Sequence, residues 1–115
     1  MAKDDYDTLV CKILVYLYKK LKGKAREKQE DYIAPLTDDF PVSEEYMNYI
    51  LFHMKDEGLI EDIGIIKAWG GTVIVTDLTE VKISPKGITY LRDNSVMRKI
   101  AGTLPAASSI MSLFI

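Results

Sequence analysis

The apolar residues of this chain follow a helical period before Gly58 and an extended period after it. In the stretches 6–21 and 43–57, apolar side chains recur every three or four residues, which predicts two helices. After Gly58 the chain is rich in β-branched residues and in turn-forming glycines, which predicts strands. Because the two patterns occupy separate parts of the sequence, they predict an α+β fold.

The first predicted helix, Tyr6–Leu21, is apolar on two sides. One face carries Tyr6, Leu9, Val10, Ile13, Leu17 and Leu21, and the opposite face carries Cys11, Val15 and Tyr18. Such a helix needs cover from two directions, so we expect it to lie at the centre of the core. Gly23 and the preceding lysines are typical of a helix end.

A second long helix is predicted to begin after Ser43, a good N-cap residue, with Glu44 and Glu45 in its first turn. It is expected to run to Glu57 and to stop at Gly58. Its predicted inward face consists of Met47, Ile50, Leu51 and Met54. Between the two long helices, the sequence predicts a loop with one or two short helical turns that include residues 25–32, and these form the short second helix of the fold.

The extended region predicts two strands, Ile60–Trp69 and Thr72–Thr76, joined by a two-residue turn at Gly70-Gly71. A further short strand is expected over Val81–Ile83. Ser84-Pro85 then opens a helix, because serine is a good N-cap and proline suits the first helical position. Ile88 and Leu91 are expected on the inward side of that helix, with Tyr90 beside them.

This order of elements predicts a winged helix-turn-helix, with three helices, a β-hairpin wing and then C-terminal helices. We expect residues 1–94 to form the winged-helix domain. Residues 95–115 are expected to form an apolar helical tail that packs on the domain or forms a dimer.

Two stretches resemble a known family. These are Lys55–Ile60, where a helix runs into a strand through a glycine, and Val81–Leu91, a strand, cap and helix. Together with the Asp93-Asn94-Ser95 junction and the tail, they resemble the YjcQ-like family of small bacterial and prophage proteins, over residues 9–104. The resemblance implies a winged-helix fold and carries over no catalytic residue.

Length and composition are those of one ordinary globular domain of 115 residues. The single cysteine, Cys11, excludes an internal disulfide. The acidic start of the chain does not resemble a signal peptide, and no apolar run is long enough to span a bilayer. We therefore expect a cytoplasmic protein that does not act at a membrane.

Nucleic-acid binding is the first functional hypothesis, because this fold commonly binds double-stranded DNA. The candidate contacts are Lys19, Lys20, Lys22, Lys24, Arg26, Lys28, Asn48 and Lys67. The six clustered basic residues would contact phosphates, or they simply form a solvated helix end. The charge of the chain argues against the helix that starts at Ser43 as the DNA-reading element, because residues 29–62 carry a net charge of −9.

Protein binding is the alternative hypothesis. The same helix presents an acidic and aromatic outer face, and Trp69 is expected at the tip of the hairpin. The candidate contacts are Glu45, Tyr49, Phe52 and Trp69. Two alternatives stay open at this point: Phe52 is exposed or is covered by the short helix over 25–32, and Trp69 contacts a partner from the wing tip or folds back over Val73.

The end of the chain predicts self-association. The last 16 residues, from Ile100 onward, carry no charge, and an apolar terminus left in water promotes aggregation. The tail either covers Cys11, Val15 and Tyr18 of the first helix or joins two copies as a homodimer. The candidate dimer contacts are Ile110, Met111, Leu113 and Phe114.

Catalysis is not expected. His53 is the only histidine and lies beside a predicted core face, and Cys11 lies on an apolar stripe that favours a buried, inert thiol. No ligand spacing typical of a metal site and no phosphate-binding glycine loop is present. The sequence therefore predicts a protein without catalytic residues, metal or cofactor.

Overall fold

A computed structural model describes residues 5–23, 32–38 and 40–93 of the chain. Within these residues there are three α-helices and four short strands. The helices are α1 (Tyr6–Leu21), α2 (Glu44–Asp56) and α3 (Pro85–Asp93), and the strands are β1 (Ile60–Glu61), β2 (Gly64–Lys67), β3 (Val73–Asp77) and β4 (Lys82–Ile83). The predicted α+β class is confirmed, and the arrangement is compatible with a winged helix.

Helix α1 lies at the centre of the core. Every residue from Thr8 to Leu17 is buried, so both predicted apolar faces are covered and the polar Thr8 and Lys12 between them are buried too. Only the ends depart from the prediction, since Tyr6 and Tyr18 are half-buried and Leu21 is exposed. The helix packs against α2, α3 and β4, which explains why it is apolar on more than one side.

Serine caps set the starts of the two later helices, as predicted. The Ser43 hydroxyl accepts a hydrogen bond from the Tyr46 amide at the start of α2. The Ser84 hydroxyl accepts from the Gly87 amide at the start of α3 and also donates to the Gly58 carbonyl. The second cap therefore ties α3 to the turn that follows α2.

The predicted strand Ile60–Trp69 is wrong as a single element. Asp62 has a positive φ of 61°, a conformation that aspartate tolerates better than most residues, and it separates β1 from β2. As a result β1 pairs with β4, whereas β2 pairs with β3, both antiparallel. The chain thus forms two small two-stranded sheets, and β4 corresponds to the short strand predicted at Val81–Ile83.

The predicted two-residue turn at Gly70-Gly71 is also wrong. The last strand pair is Lys67 with Val73, so five residues connect β2 and β3, and Trp69–Gly71 form a 3₁₀ turn. The Ala68 amide donates to the Thr72 carbonyl across the base of this loop. Both glycines have positive φ, which explains their presence but does not by itself fix the loop length. We call β2, this loop and β3 the hairpin.

Helix α3 packs very close to the backbone at Leu59. A Cβ atom on Gly87 would lie 2.2 Å from the Leu59 carbonyl oxygen, so only glycine fits at this position. Leu91 is buried and Ile88 and Tyr90 are half-buried, as predicted for this helix. In the described part of the chain, no helix is both long enough and apolar enough to cross a membrane.

Candidate interaction surface of helix α2 and the hairpin

The outer face of α2 lies on the surface, as predicted. The four residues predicted to face inward, Met47, Ile50, Leu51 and Met54, are all buried. On the outer face Glu44, Glu45, Tyr49, Lys55 and Asp56 are exposed, whereas Asn48 and Phe52 are half-buried. The charge of this face is therefore one lysine against three carboxylates.

Tyr49 is the centre of an aromatic cluster. Its ring centroid lies 4.4 Å from that of His53 on the next turn and 6.5 Å from that of Tyr46. Tyr6 of α1 meets it edge-on at 6.4 Å. Tyr49 nevertheless keeps 52% of its surface exposed, so a large aromatic ring is held in place by its neighbours and is still accessible.

The hairpin is attached to the outer face of α2 through two contacts that involve three of the predicted site residues. The Asn48 side-chain amide donates to the Val73 carbonyl at 3.3 Å, and the Lys67 ammonium lies 5.5 Å from the centre of the Phe52 ring. The structure therefore brings Asn48, Lys67 and Phe52 together as contacts between the helix and the hairpin. Phe52 is half-buried, with Lys67 of the hairpin over its ring. Residues 25–31 of the short helix that was expected to cover it lie outside the described residues.

A groove of about 640 Å³ lies between the first half of α2 and strand β3. Its walls are formed by Glu44, Glu45, Asn48 and Tyr49 from the helix and by Gly70, Gly71, Thr72, Val73 and Ile74 from the hairpin. A smaller cavity of about 340 Å³ continues along the same helix beside Ser43, Glu45, Tyr46 and Tyr49. Among the described residues of the groove wall, the two glutamates are the only side chains that carry a charge at neutral pH.

The tip of the hairpin is open to solvent. Trp69 is fully exposed, at 101% of its reference area, so the interpretation that it folds back over Val73 is wrong. Ile66 and Ile74 are directly paired across the strands and are 53% and 42% exposed. The hairpin therefore presents an apolar outer surface next to the groove.

The sequence did not predict the groove wall that the hairpin forms. The protein-binding hypothesis named Glu45, Tyr49 and Phe52 on the helix and Trp69 at the hairpin tip, but it placed no hairpin strand beside the helix. Ile65 and Ile66 are both apolar, so the outward member of the pair was not evident until the register with β3 was known. The long-range contact between Asn48 and Val73 likewise has no local sequence signal.

Two ionisable groups near the aromatic cluster and in the core are held in their neutral forms. Burial, followed by the nearby Glu57 and Tyr49, raises the pKa of Tyr6 from 10.0 to about 12. Burial, followed by Asp7, raises the pKa of the Cys11 thiol from 9.0 to about 12. Cys11 is therefore a buried thiol with little thiolate at neutral pH, as its apolar stripe predicted.

The described part of the basic cluster, Lys19, Lys20 and Lys22, lies away from the groove. Lys19 is half-buried and Lys20 and Lys22 are exposed at the C-terminal end of α1, with the Lys22 ammonium 5.0 Å from the Tyr18 ring centre. Tyr6, which contacts Tyr49, lies at the other end of the same helix. The rise from residue 6 to residue 20 is roughly 21 Å at 1.5 Å per residue. The two candidate surfaces are therefore separate.

Several predicted site residues lie outside the described part of the chain. These are Lys24, Arg26 and Lys28 of the basic cluster and Ile110, Met111, Leu113 and Phe114 of the tail. Their roles stay predictions. Among the residues that the structure describes, no three histidine, cysteine, aspartate or glutamate side chains are grouped to hold a metal ion.

The fold and this surface define a small α+β protein with a groove between a helix and a hairpin. The family model of the YjcQ protein matches residues 12–108, and the chain belongs to this family. The match confirms the resemblance that the stretches around Gly58 and Pro85 indicated. Neither the curated proteins nor the solved structures that were compared contain a match to the chain.

Proposed function

We propose that this chain is a non-catalytic winged-helix module that binds a protein partner through the groove between α2 and the hairpin. The observation that carries the proposal is the composition of that groove. An exposed tyrosine and an apolar strand line it, and its charged groups are two carboxylates. An apolar centre with a polar rim is the usual anatomy of a protein-binding patch.

The same face is poorly suited to reading DNA. Duplex binding draws much of its affinity from basic side chains that neutralise phosphates, and Glu44, Glu45 and Asp56 would repel phosphates instead. The predicted base-reading residue, Asn48, donates from its side-chain amide to Val73. The predicted phosphate contact of the wing, Lys67, lies over Phe52. Both residues hold the hairpin on the helix.

Tyr49 and Trp69 supply the expected anchors of the interface. Tyrosine and tryptophan are the residue types most enriched among those that dominate binding energy. Tyr49 is half exposed yet fixed by three ring contacts, so little side-chain entropy is lost when a partner covers it. Trp69 is fully exposed at the hairpin tip and precedes Gly70, which is part of the groove wall.

A site-specific photo-crosslinker tests this proposal in cells. We would replace Tyr49 with benzoylphenylalanine and, as a matched control, place the same residue at the exposed Thr89 of α3. The proposal predicts a light-dependent protein adduct from position 49 that is absent from position 89. Equal adducts at both positions, or an adduct with nucleic acid at position 49, would contradict it.

DNA-related regulation is a second candidate function, supported by the basic end of α1. Lys20 and Lys22 are exposed side by side with the half-buried Lys19, at a place distant from the acidic face. In a fluorescence-anisotropy titration with a mixed-sequence duplex, this candidate predicts binding that weakens steeply with salt. It also predicts that Lys20→Glu with Lys22→Glu abolishes that binding, whereas Glu44→Gln with Glu45→Gln leaves it intact.

A further inference from the structure

We infer that the partner enters the groove as an extended segment carrying an arginine, whose guanidinium lies against Glu44 and Glu45 and the face of Tyr49. This inference rests on the proposed function and names the chemistry of the partner. Its basis is a combination of charge, shape and aromatic surface that the three residues and the facing strand provide together.

The charge of the groove selects a cation. Glu44 and Glu45 are both exposed, and within the described residues neither one forms an ion pair or accepts a hydrogen bond from a side chain. The one lysine of the hairpin, Lys67, is not part of the groove wall: its Cε would lie 3.9 Å from a Cβ atom at Gly71, and its ammonium lies over Phe52. Two adjacent carboxylates in a groove without a basic residue favour a positively charged ligand.

The aromatic wall favours arginine over lysine. A guanidinium is planar, forms paired hydrogen bonds with carboxylates and stacks on aromatic faces, whereas an ammonium is a strongly hydrated point charge. Tyr49 is half exposed on the same side of α2 as Glu45, one helical turn further along. A single arginine in the groove can therefore hydrogen-bond to a carboxylate and stack on the tyrosine ring.

The hairpin wall favours an extended chain beside that arginine. Gly70 and Gly71 place backbone without side chains at one end of the groove, and a Cβ atom at Gly70 would meet nothing within 4 Å. Val73 and Ile74 then give an apolar surface for the neighbouring residues of the ligand. A volume of about 640 Å³ is that of a pocket for a small ligand, which suits a few residues of peptide.

A peptide titration tests this inference directly. The probe is an eight-residue peptide of alternating arginine and leucine, and its matched control carries citrulline, a neutral isostere, in place of arginine. Binding is followed by calorimetry and by the emission of Trp69, which is the only tryptophan of the chain and precedes Gly70 of the groove wall. We expect the arginine peptide to bind at least about tenfold more tightly than the citrulline peptide.

Charge variants locate the binding site. Glu44→Gln with Glu45→Gln should weaken binding of the arginine peptide about tenfold or more. Glu61→Gln with Glu80→Gln removes the same net charge from exposed positions outside the groove and should change binding less than twofold. Because all four residues are exposed, both double variants should fold like the parent chain, which circular dichroism checks.

Two results would overturn the inference. One is equal binding of the arginine and citrulline peptides, and the other is equal weakening by the two double variants, which would reveal unspecific charge attraction. If either result is found together with a protein adduct at position 49, the proposed function is supported and only the preference for arginine is rejected. If position 49 gives no specific adduct and neither peptide binds, both proposals fail.

Discussion

Ser84 joins three parts of the molecule through one side chain and its own backbone. Its hydroxyl accepts from the Gly87 amide and donates to the Gly58 carbonyl, while its amide donates to the Leu59 carbonyl. Ser43 is the same residue type in the same capping position, but its exposed hydroxyl makes one bond, to the Tyr46 amide. The sequence predicts both serines as N-caps, but it does not predict which of them contributes more to stability.

We predict that Ser84→Ala destabilises the protein more than Ser43→Ala. Loss of an ordinary N-cap costs about 1 kcal/mol of unfolding free energy. At Ser84 the Gly58 carbonyl also loses its donor in a partly buried site, which raises the expected cost to about 2 kcal/mol. Urea unfolding of the two variants measures the difference, and equal costs would show that the Gly58 bond does not contribute.

Tyr6 links the core to the aromatic cluster, and its raised pKa gives a second prediction at this scale. Because the folded-state pKa is about 12 and the ordinary value is 10.0, the neutral tyrosine stabilises the fold below about pH 10, and this contribution is lost as the pH rises towards 12. Tyr6→Phe has no hydroxyl to ionise. Urea unfolding at about pH 9 and about pH 11.5 should therefore show a smaller loss of stability in Tyr6→Phe than in the parent chain. Cys11 ionises in both proteins, so its contribution to the pH dependence cancels in the comparison. An equal loss of stability in the parent chain and in Tyr6→Phe would contradict the burial of the Tyr6 hydroxyl.

At the scale of elements, local patterns predicted the helices better than the strands. The bounds of α1, the cap and inward face of α2, and the Ser-Pro start of α3 follow from periodicity and capping within one segment. The break at Asp62 and the five-residue loop of the hairpin depend on which strands pair, and pairing is a long-range property. The same dependence explains why one wall of the groove was missed.

The attachment of the hairpin to α2 gives a prediction about its motion. A two-stranded hairpin is marginally stable alone, and Asn48 ties this one to the helix through Val73. Asn48→Ala should raise amide hydrogen exchange in β2 and β3 several-fold while exchange in α1 changes little. Asp56→Ala, on the same helix but away from the hairpin, is the matched control. Unchanged exchange in the hairpin of Asn48→Ala would show that other contacts hold it.

At the scale of the whole molecule, charge is separated along the chain and in space. Residues 1–28 carry a net charge of +4 and residues 29–62 carry −9, although the chain as a whole carries −2. The structure places Lys20 and Lys22 at one end of α1 and the acidic groove beside the other end. The sequence predicted the two patches but not their separation, because the distance follows from how α1 and α2 pack.

The uncharged segment from Ile100 onward predicts self-association. If residues 106–115 join two copies, their deletion should convert a dimer into a soluble, folded monomer, because the apolar contact is lost without loss of the core. Sedimentation velocity and circular dichroism of the parent and the truncated chain make the comparison. A truncated chain that no longer folds would instead indicate that the tail packs within its own molecule.

We expect the groove between α2 and the hairpin to bind protein and not DNA. Amide chemical shifts of the labelled protein test it most directly, in one titration with the arginine and leucine peptide and one with a mixed-sequence duplex. The peptide should change the amide chemical shifts of Glu44–Tyr49 and Gly70–Ile74, and the duplex should leave these shifts unchanged. Peptide shifts confined to other parts of the chain, or duplex shifts along α2, would contradict it.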